Sequence, residues 1–356
     1  MRNAWILPVF LAVLGCLSVL ILRSVAPSLV SRQVIFLLLG GGLFWLASRV
    51  AFHQWMLLSP ILYSGVVASL VFVKLLGVVT RGAASWIPIG SFHVQPSQLA
   101  VFAIALALTR YLTQHKEISW KVLGIALGIA GVPLALILIE PDFGTTVITA
   151  AAVASIIWIS PVKLSKLGWI LMAVGAFSVV SWLFLFKPYQ KKRITDFFAG
   201  SSTSQVEVNY HARQSMIAVG SGQIWGRGLG QGVQSQLRFL PEKQTDFVFA
   251  AFAEEMGMLG AGLLLTLYLV LVGYHAWVFW HARAPGPRYY VAASGAMILT
   301  QVGINLGMNM GITPITGITL PFLSYGGSSI LSLGLQLGVV YHLARHLPLK
   351  SSLYLR

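Results

Sequence analysis

With 57% hydrophobic and only 9% charged side chains over 356 residues, the chain is too apolar for a soluble domain and has the composition of a polytopic membrane protein. Its formal net charge of +15 therefore points to membrane orientation and anionic lipid, and no basic run with interleaved aromatics suggests nucleic acid. A single cysteine excludes an internal disulfide.

Apolar runs predict ten spans, near residues 4–22, 33–48, 55–79, 97–112, 121–139, 143–160, 167–186, 247–280, 289–312 and 328–344. The expected fold class is all-α: one transmembrane domain over 1–356, with a long loop at 187–246 between the seventh and eighth spans. The first run, Trp5 to Leu22, has four residues before it and no small-residue cleavage site after it, so it reads as a retained span and not a signal peptide. Cys16 inside it has no neighbours that would make a zinc site or a nucleophile and reads as buried apolar filler. Lys74, alone in the third run, reads as a lysine that snorkels to the interface. The next connection, RGAASWIPIGSFHVQPS at 81–97, holds Arg81 and Trp86, residue types that anchor spans at the interface. A shorter one, EPDFGT at 140–145, offers Glu140 and Asp142 as caps for the sixth span.

The 187–246 loop carries eight cations: Lys187, Lys191, Lys192, Arg193, Arg213, Arg227, Arg238 and Lys243. They suit lipid headgroups or, more sharply, a phosphorylated substrate, because guanidinium forks match phosphate oxygens. The glycine run GSGQIWGRGLGQG, 220–232, follows no strand and forms no Walker pattern, so it reads as tight turning or flat packing against the membrane. The run from Phe247 to Trp280 would extend about 51 Å as one helix, too long for a single upright crossing. Its first turns are expected to project from the bilayer, or to bend at Gly257, Gly260 or Gly262. The last connection, TPITGITLPFLSYGGSS at 313–329, has no charge, two prolines and a glycine pair. Such irregular backbone at membrane depth must be buried in protein or line a wet cavity.

With the N-terminus inside, twelve lysines and arginines fall on cytoplasmic segments and three, Arg23, Arg32 and Arg81, on short outer loops, which predicts both termini in the cytoplasm. Of the nine acids only Glu117 then lies inside, so chemistry is expected on the outer face. Four of the nine sit in FLPEKQTDFVFAAFAEEMG, 239–257: Glu242, Asp246, Glu254 and Glu255. Asp246 has two readings, as the N-cap of the helix that follows or as a partly desolvated general base beside a cavity. Glu254 and Glu255, two turns further on, are expected to face the cavity or a cation, or to stand above the bilayer in water, because an ionised carboxylate in lipid costs roughly 2 to 3 kcal/mol or more.

Four stretches together resemble the SEDS family (shape, elongation, division and sporulation): RGAASWIPIGSFHVQPSQ, EPDFGT, IAVGSGQIWGRGLGQGVQSQLRFLPEKQTDFVFAAFAEEMGMLG and GMNMGITPITGITLPFLSYGGSS. The short N-terminal tail is more similar to the RodA branch of that family than to the FtsW branch. The resemblance implies a peptidoglycan glycosyltransferase that polymerises lipid II on the outer face of the bacterial cytoplasmic membrane, for cell elongation and shape. Its implied partner is a class B penicillin-binding protein, the cross-linking transpeptidase, besides lipid II and membrane lipids. It further implies that Asp246, in TDF after LPE, is the family's essential aspartate, and that Arg81 and Trp86 match its R…W signature.

Inverting attack by a sugar hydroxyl on a lipid-pyrophosphate donor needs a base, here Asp246, and a group that takes the developing phosphate charge. Arg193, Arg213 and Lys243 are the cationic candidates, with a divalent cation, Mg or Mn, on outer carboxylates as the other carrier of that charge. Arg81, Trp86, Asp142, Glu242 and Ser324 complete the substrate-binding candidates. The chain departs from the family's pattern at Gln98 and Val101, where glutamate and lysine are usual, and at Glu140, where glutamine is common. Two other functions fit the residues alone: a lipid II flippase or transporter, given Lys74 and the glycine-broken connections, and a noncatalytic membrane scaffold for cell-wall enzymes.

Overall fold

The structure, a computed structural model, describes residues 5–76, 78–80, 83–89, 92–140, 142–185, 191, 195, 206–237, 239–240 and 242–347. Helices α1 (Ile6–Val25), α2 (Val30–Arg49) and α3 (Phe52–Leu76) come first, α1 and α2 being joined through a 3-10 turn at Pro27–Leu29. Helix α4 (Pro96–Thr113) opens on a proline, which lacks the N–H a first turn leaves unpaired. Helix α5 (Trp120–Ile139) opens on Ser119, whose Oγ accepts from Val122 N at 3.2 Å. Then follow α6 (Phe143–Ile159) and α7 (Leu164–Val180), the latter running on into a π turn at Ser181–Leu185. The remainder comprises α8 (Val206–Ser221), the one-turn α9 (Val233–Gln236), α10 (Val248–His281), α11 (Pro285–Asn309) and α12 (Gly327–Arg345).

Eight of the described helices are long and apolar enough to cross a membrane, and α6, at 17 residues, is a shorter apolar one. The exception among the predicted runs is α4, which packs on α3, α5, α6, α11 and α12 and buries 12 of its residues, Ser97 and Thr109 among them. A helix surrounded by protein can carry polar groups that lipid would penalise, so its hydropathy is low because it is central.

Two features depart from the sequence reading. The connection before α4 is a three-stranded antiparallel sheet in the order β1 (Val78–Thr80), β2 (Ala83–Ile89), β3 (Phe92–Val94), with Val78 opposite Trp86 and Pro88 opposite His93. The β-branched and aromatic residues of VVT, SWIPI and FHV suit a pleated ribbon once the apolar helix has ended. The 187–246 segment is also not all loop, since α8 runs 16 residues within it and packs on α10.

Close approach of backbones fixes the centre. Helix α2 packs most extensively on α12, where Gly334 and Gly338 form a G-x-x-x-G pair. A Cβ at Gly334 would overlap the Gly40 carbonyl oxygen, and one at Gly338 would stand 2.5 Å from that of Phe44. Helix α10 breaks at Gly257 (φ 66°, ψ −169°), so the long run is two helices end to end. The 223–228 segment repairs the break: Arg227 N and Gly228 N donate to the Glu254 and Glu255 carbonyls, while Met258 N and Leu259 N donate to the Gln223 and Ile224 carbonyls. The glycine run thus turns tightly, with positive φ at Gly226, Gly228 and Gly230, and packs against a broken helix and not flat against the membrane.

Candidate active site

A cavity of about 550 Å³ opens where β2, β3 and the starts of α2, α4, α6 and α12 meet the 313–326 segment. Its walls carry Arg32, Trp86, His93, Gln95, Gln98, Asp142, Thr145, Gln244, Thr245, Asp246 and Gly317–Thr319. A larger apolar groove of about 1030 Å³ runs between α1 and α2 past Cys16, with Arg23 toward one end. Among the described residues no carboxylate lines that groove, whereas Asp142 and Asp246 both line the smaller cavity. Cys16 is exposed there, a correction to the expected burial: the small residues Gly15, Gly40 and Gly41 leave that side of α1 uncovered.

Asp246 stands on the turn 242–247 that leads into α10. The capping reading does not hold as expected, because the N-cap of α10 is Phe247 and makes no side-chain cap hydrogen bond. The N3 donor that a cap would take, Ala250 N, instead donates to Asn309 Oδ1 at 3.1 Å. Gly317 lies across from Asp246 with φ +76°, and a Cβ there would be 3.7 Å from Asp246 Oδ2.

Asp142 sits on the opposite wall as the N-cap of α6, with its Oδ1 accepting from Thr145 N at 3.0 Å. Its Oδ2 accepts from Gln95 Nε2 at 2.8 Å and Ser97 Oγ at 3.1 Å. Gln98 also reaches the cavity and donates to Thr145 Oγ1 at 3.2 Å, whereas Val101 is buried in the apolar interior. The charged pair usual in the family is thus replaced by an amide and a core residue, each fitting its place. Glu140, just before, is 2% exposed and neither carboxylate oxygen has a hydrogen-bond partner among the described residues. Burial, then the Asp142 charge, push its carboxyl up to about 7 against the opposing pull of Lys74.

The remaining predicted residues scatter. Trp86 is half-buried in the cavity wall. Arg81 and Arg193 lie outside the described residues. Arg213 is exposed on α8 and Lys243 Nζ donates to the Ser235 carbonyl; neither lines the cavity. Glu242 Oε2 accepts from Thr245 Oγ1 at 3.1 Å, inside its own turn. Ser324 is buried, with its Oγ donating to the Thr245 carbonyl at 2.6 Å and accepting from Leu320 N at 2.8 Å, so it holds backbone and does not face a substrate.

Glu254 and Glu255 correct the expectation that they face the cavity, a cation or water. Both are fully buried, and their partners among the described residues are neutral donors. Gln234 N and Ser235 N donate to Glu254 at 2.8 and 3.0 Å, and Ser24 Oγ and Gln236 Nε2 donate to Glu255 at 2.6 and 3.2 Å. They fasten the 221–236 segment to α10. Arg32, His93 and Gln95 were missed as cavity residues. Arg32 carried one visible signal, a cation in the first turn of a helix, where the helix dipole disfavours it. Among the described residues no three of His, Cys, Asp or Glu gather as a metal site, and Asp142 already accepts three hydrogen bonds.

A family model described as cell cycle protein, FtsW/RodA/SpoVE, matches residues 3–348. The peptidoglycan glycosyltransferase MrdB of Escherichia coli K12 is 36% identical over 291 residues, which is 81% of this chain and 78% of that protein. A chain from a peptidoglycan synthase complex, solved to explain structural coordination of polymerization and crosslinking, superposes with a TM-score of 0.80 at 27% identity, over 96% of this chain and 98% of that one. The crystal structure of the Thermus thermophilus rod shape determining protein RodA gives 0.72 at 26% identity, over 96% and 97% of the two chains.

Proposed function

As the chain belongs to the FtsW/RodA/SpoVE family of cell cycle proteins and is a peptidoglycan glycosyltransferase, we propose that it polymerises lipid II with Asp246 as general base. The observation that carries this reading is the shared cavity, which Asp246 lines together with Asp142, Trp86 and Arg32. Asp246 takes the proton from the acceptor sugar's 4-hydroxyl as that oxygen attacks the anomeric carbon of the donor. The bond to lipid-linked pyrophosphate breaks on the opposite face, so the carbon inverts and no covalent enzyme intermediate forms. Arg32, an exposed cation on the cavity wall with a place the helix dipole disfavours, takes up the pyrophosphate charge. Arg213 and Lys243, which do not line the cavity, act on the approach of the substrate.

The sugar and pyrophosphate occupy the cavity on the outer side of the cytoplasmic membrane, and the polyprenyl tail stays in the bilayer between spans. Ten helices, α1 to α7 and α10 to α12, cross that membrane with both termini in the cytoplasm. A class B penicillin-binding protein is the partner that cross-links the product, a reading supported by the likeness to a chain of a synthase complex. The test is polymer formation from lipid II by the purified chain. Asp246→Asn keeps the shape and removes the base, so the rate should fall by about 10²- to 10⁴-fold; undiminished polymer would remove Asp246 from the mechanism.

A further inference from the structure

The backbone of Asp246 is gripped by side chains of α11. Asn305 Nδ2 and Asn309 Nδ2, one turn apart on α11, each donate to the Asp246 carbonyl at 3.0 Å. Both asparagines are 0% exposed. Two donors on one carbonyl oxygen use both of its lone pairs and fix the peptide plane that follows the residue. The two preceding carbonyls are held as well: Thr245 O accepts from Ser324 Oγ at 2.6 Å and Gln244 O from Tyr325 N at 2.8 Å. Asn305 Nδ2 also donates to Ile318 O at 2.7 Å, on the segment that forms the facing wall of the cavity. The strip that carries Asp246 and the wall opposite are therefore tied to the same side chain.

Asn309 makes the second half of the arrangement. Its Oδ1 accepts from Ala250 N, the donor at the start of α10 that a capping side chain would normally take, and from Ser215 Oγ of α8 at 3.2 Å. Every donor and acceptor of its amide thus has a partner. The cap of α10 comes from another helix, not from the residue next to the helix.

We propose that Asn305 and Asn309 are positioning residues for glycosyl transfer, which set where the Asp246 carboxylate stands by gripping its carbonyl and by capping α10 in its place. The proposal rests on Asp246 being the base. Loss of the grip frees the 242–247 turn to shift, and displacement of a reacting group by about 1 Å costs on the order of 100-fold in rate.

Initial rates of lipid II polymerisation by the purified full chain test it, for the parent, Asn305→Ala, Asn309→Ala, Ser324→Ala, Asp246→Asn and each double variant with Asp246→Asn. The asparagine variants should lose roughly 10- to 100-fold in kcat with KM within about twofold, and should leave the residual rate of Asp246→Asn unchanged, because they act only through that carboxylate. A merely structural role would lower the rate by the same factor in both backgrounds, and that result overturns the proposal, as would a raised KM with kcat retained. If an asparagine variant fails to fold, Ser324→Ala carries the same comparison, since it removes one hydroxyl from the same brace. Normal rates for Asn305→Ala, Asn309→Ala and Ser324→Ala beside a dead Asp246→Asn overturn the positioning role alone. A fully active Asp246→Asn overturns the base assignment, and the positioning role with it.

Discussion

Glu140 and Asp142 are two residues apart and meet opposite environments. Asp142 accepts three hydrogen bonds, whereas the Glu140 carboxyl is buried with none among the described residues. Below about pH 4.5, the ordinary value for the group, the Glu140 carboxyl is neutral in folded and unfolded chains alike. Between there and about 7 only the unfolded chain ionises, so stability falls as pH rises through that window and then levels off. Glu140→Gln removes the titrating group. It should be indistinguishable from the parent near pH 4 and more stable by about 1 to 3 kcal/mol above pH 7.5, as read from unfolding midpoints in detergent. The sequence presents the two acids as equivalent caps. Which of them received the donors depended on Gln95 and Ser97, residues more than 40 positions upstream, and no local pattern encodes that.

At the scale of elements, helix existence was legible because apolar runs report burial in lipid or protein directly. What each helix packs on was less so. The bend at Gly257 follows from a run too long to stand upright, yet its repair by residues 223–228 is a contact between distant segments. Likewise the close approach of α2 to the glycines of α12 joins segments almost 300 residues apart. Gly334→Leu should therefore lower the thermal midpoint of the purified protein by several degrees, since its Cβ meets the Gly40 carbonyl and overpacking costs about 1 to 3 kcal/mol. Gly41→Ala, one residue from that contact with nothing within 4 Å of the new Cβ, should be neutral or raise the midpoint slightly. Equal losses for both would mean that the α2–α12 approach is not what these glycines serve.

For the whole molecule, the proposed orientation makes a prediction that needs no substrate. In a Cys16→Ala background, Lys116→Cys should react with a membrane-impermeant maleimide only after cells are opened, and Arg213→Cys should react in intact spheroplasts; the reverse pattern inverts the topology. Both positions are exposed. The all-α, membrane-spanning class was legible from long apolar runs, and a place for Asp246 beside a cavity from the sequence around it. The places of Arg32, Asn305 and Asn309 were not, since Arg32 meets the cavity and the asparagines meet the Asp246 carbonyl only in the folded chain. The broken α10 has a last consequence, for the order of synthesis. Among the described residues every donor to the Glu254 and Glu255 side chains comes from Ser24, Ser221, Ser235, Gln236 or the backbone of residues 234–235. The groups that mend the break, residues 223–228, also precede it. A ribosome making this chain therefore releases these donors before the two carboxylates, so the hydrogen bonds that receive them need no partner still to be synthesised.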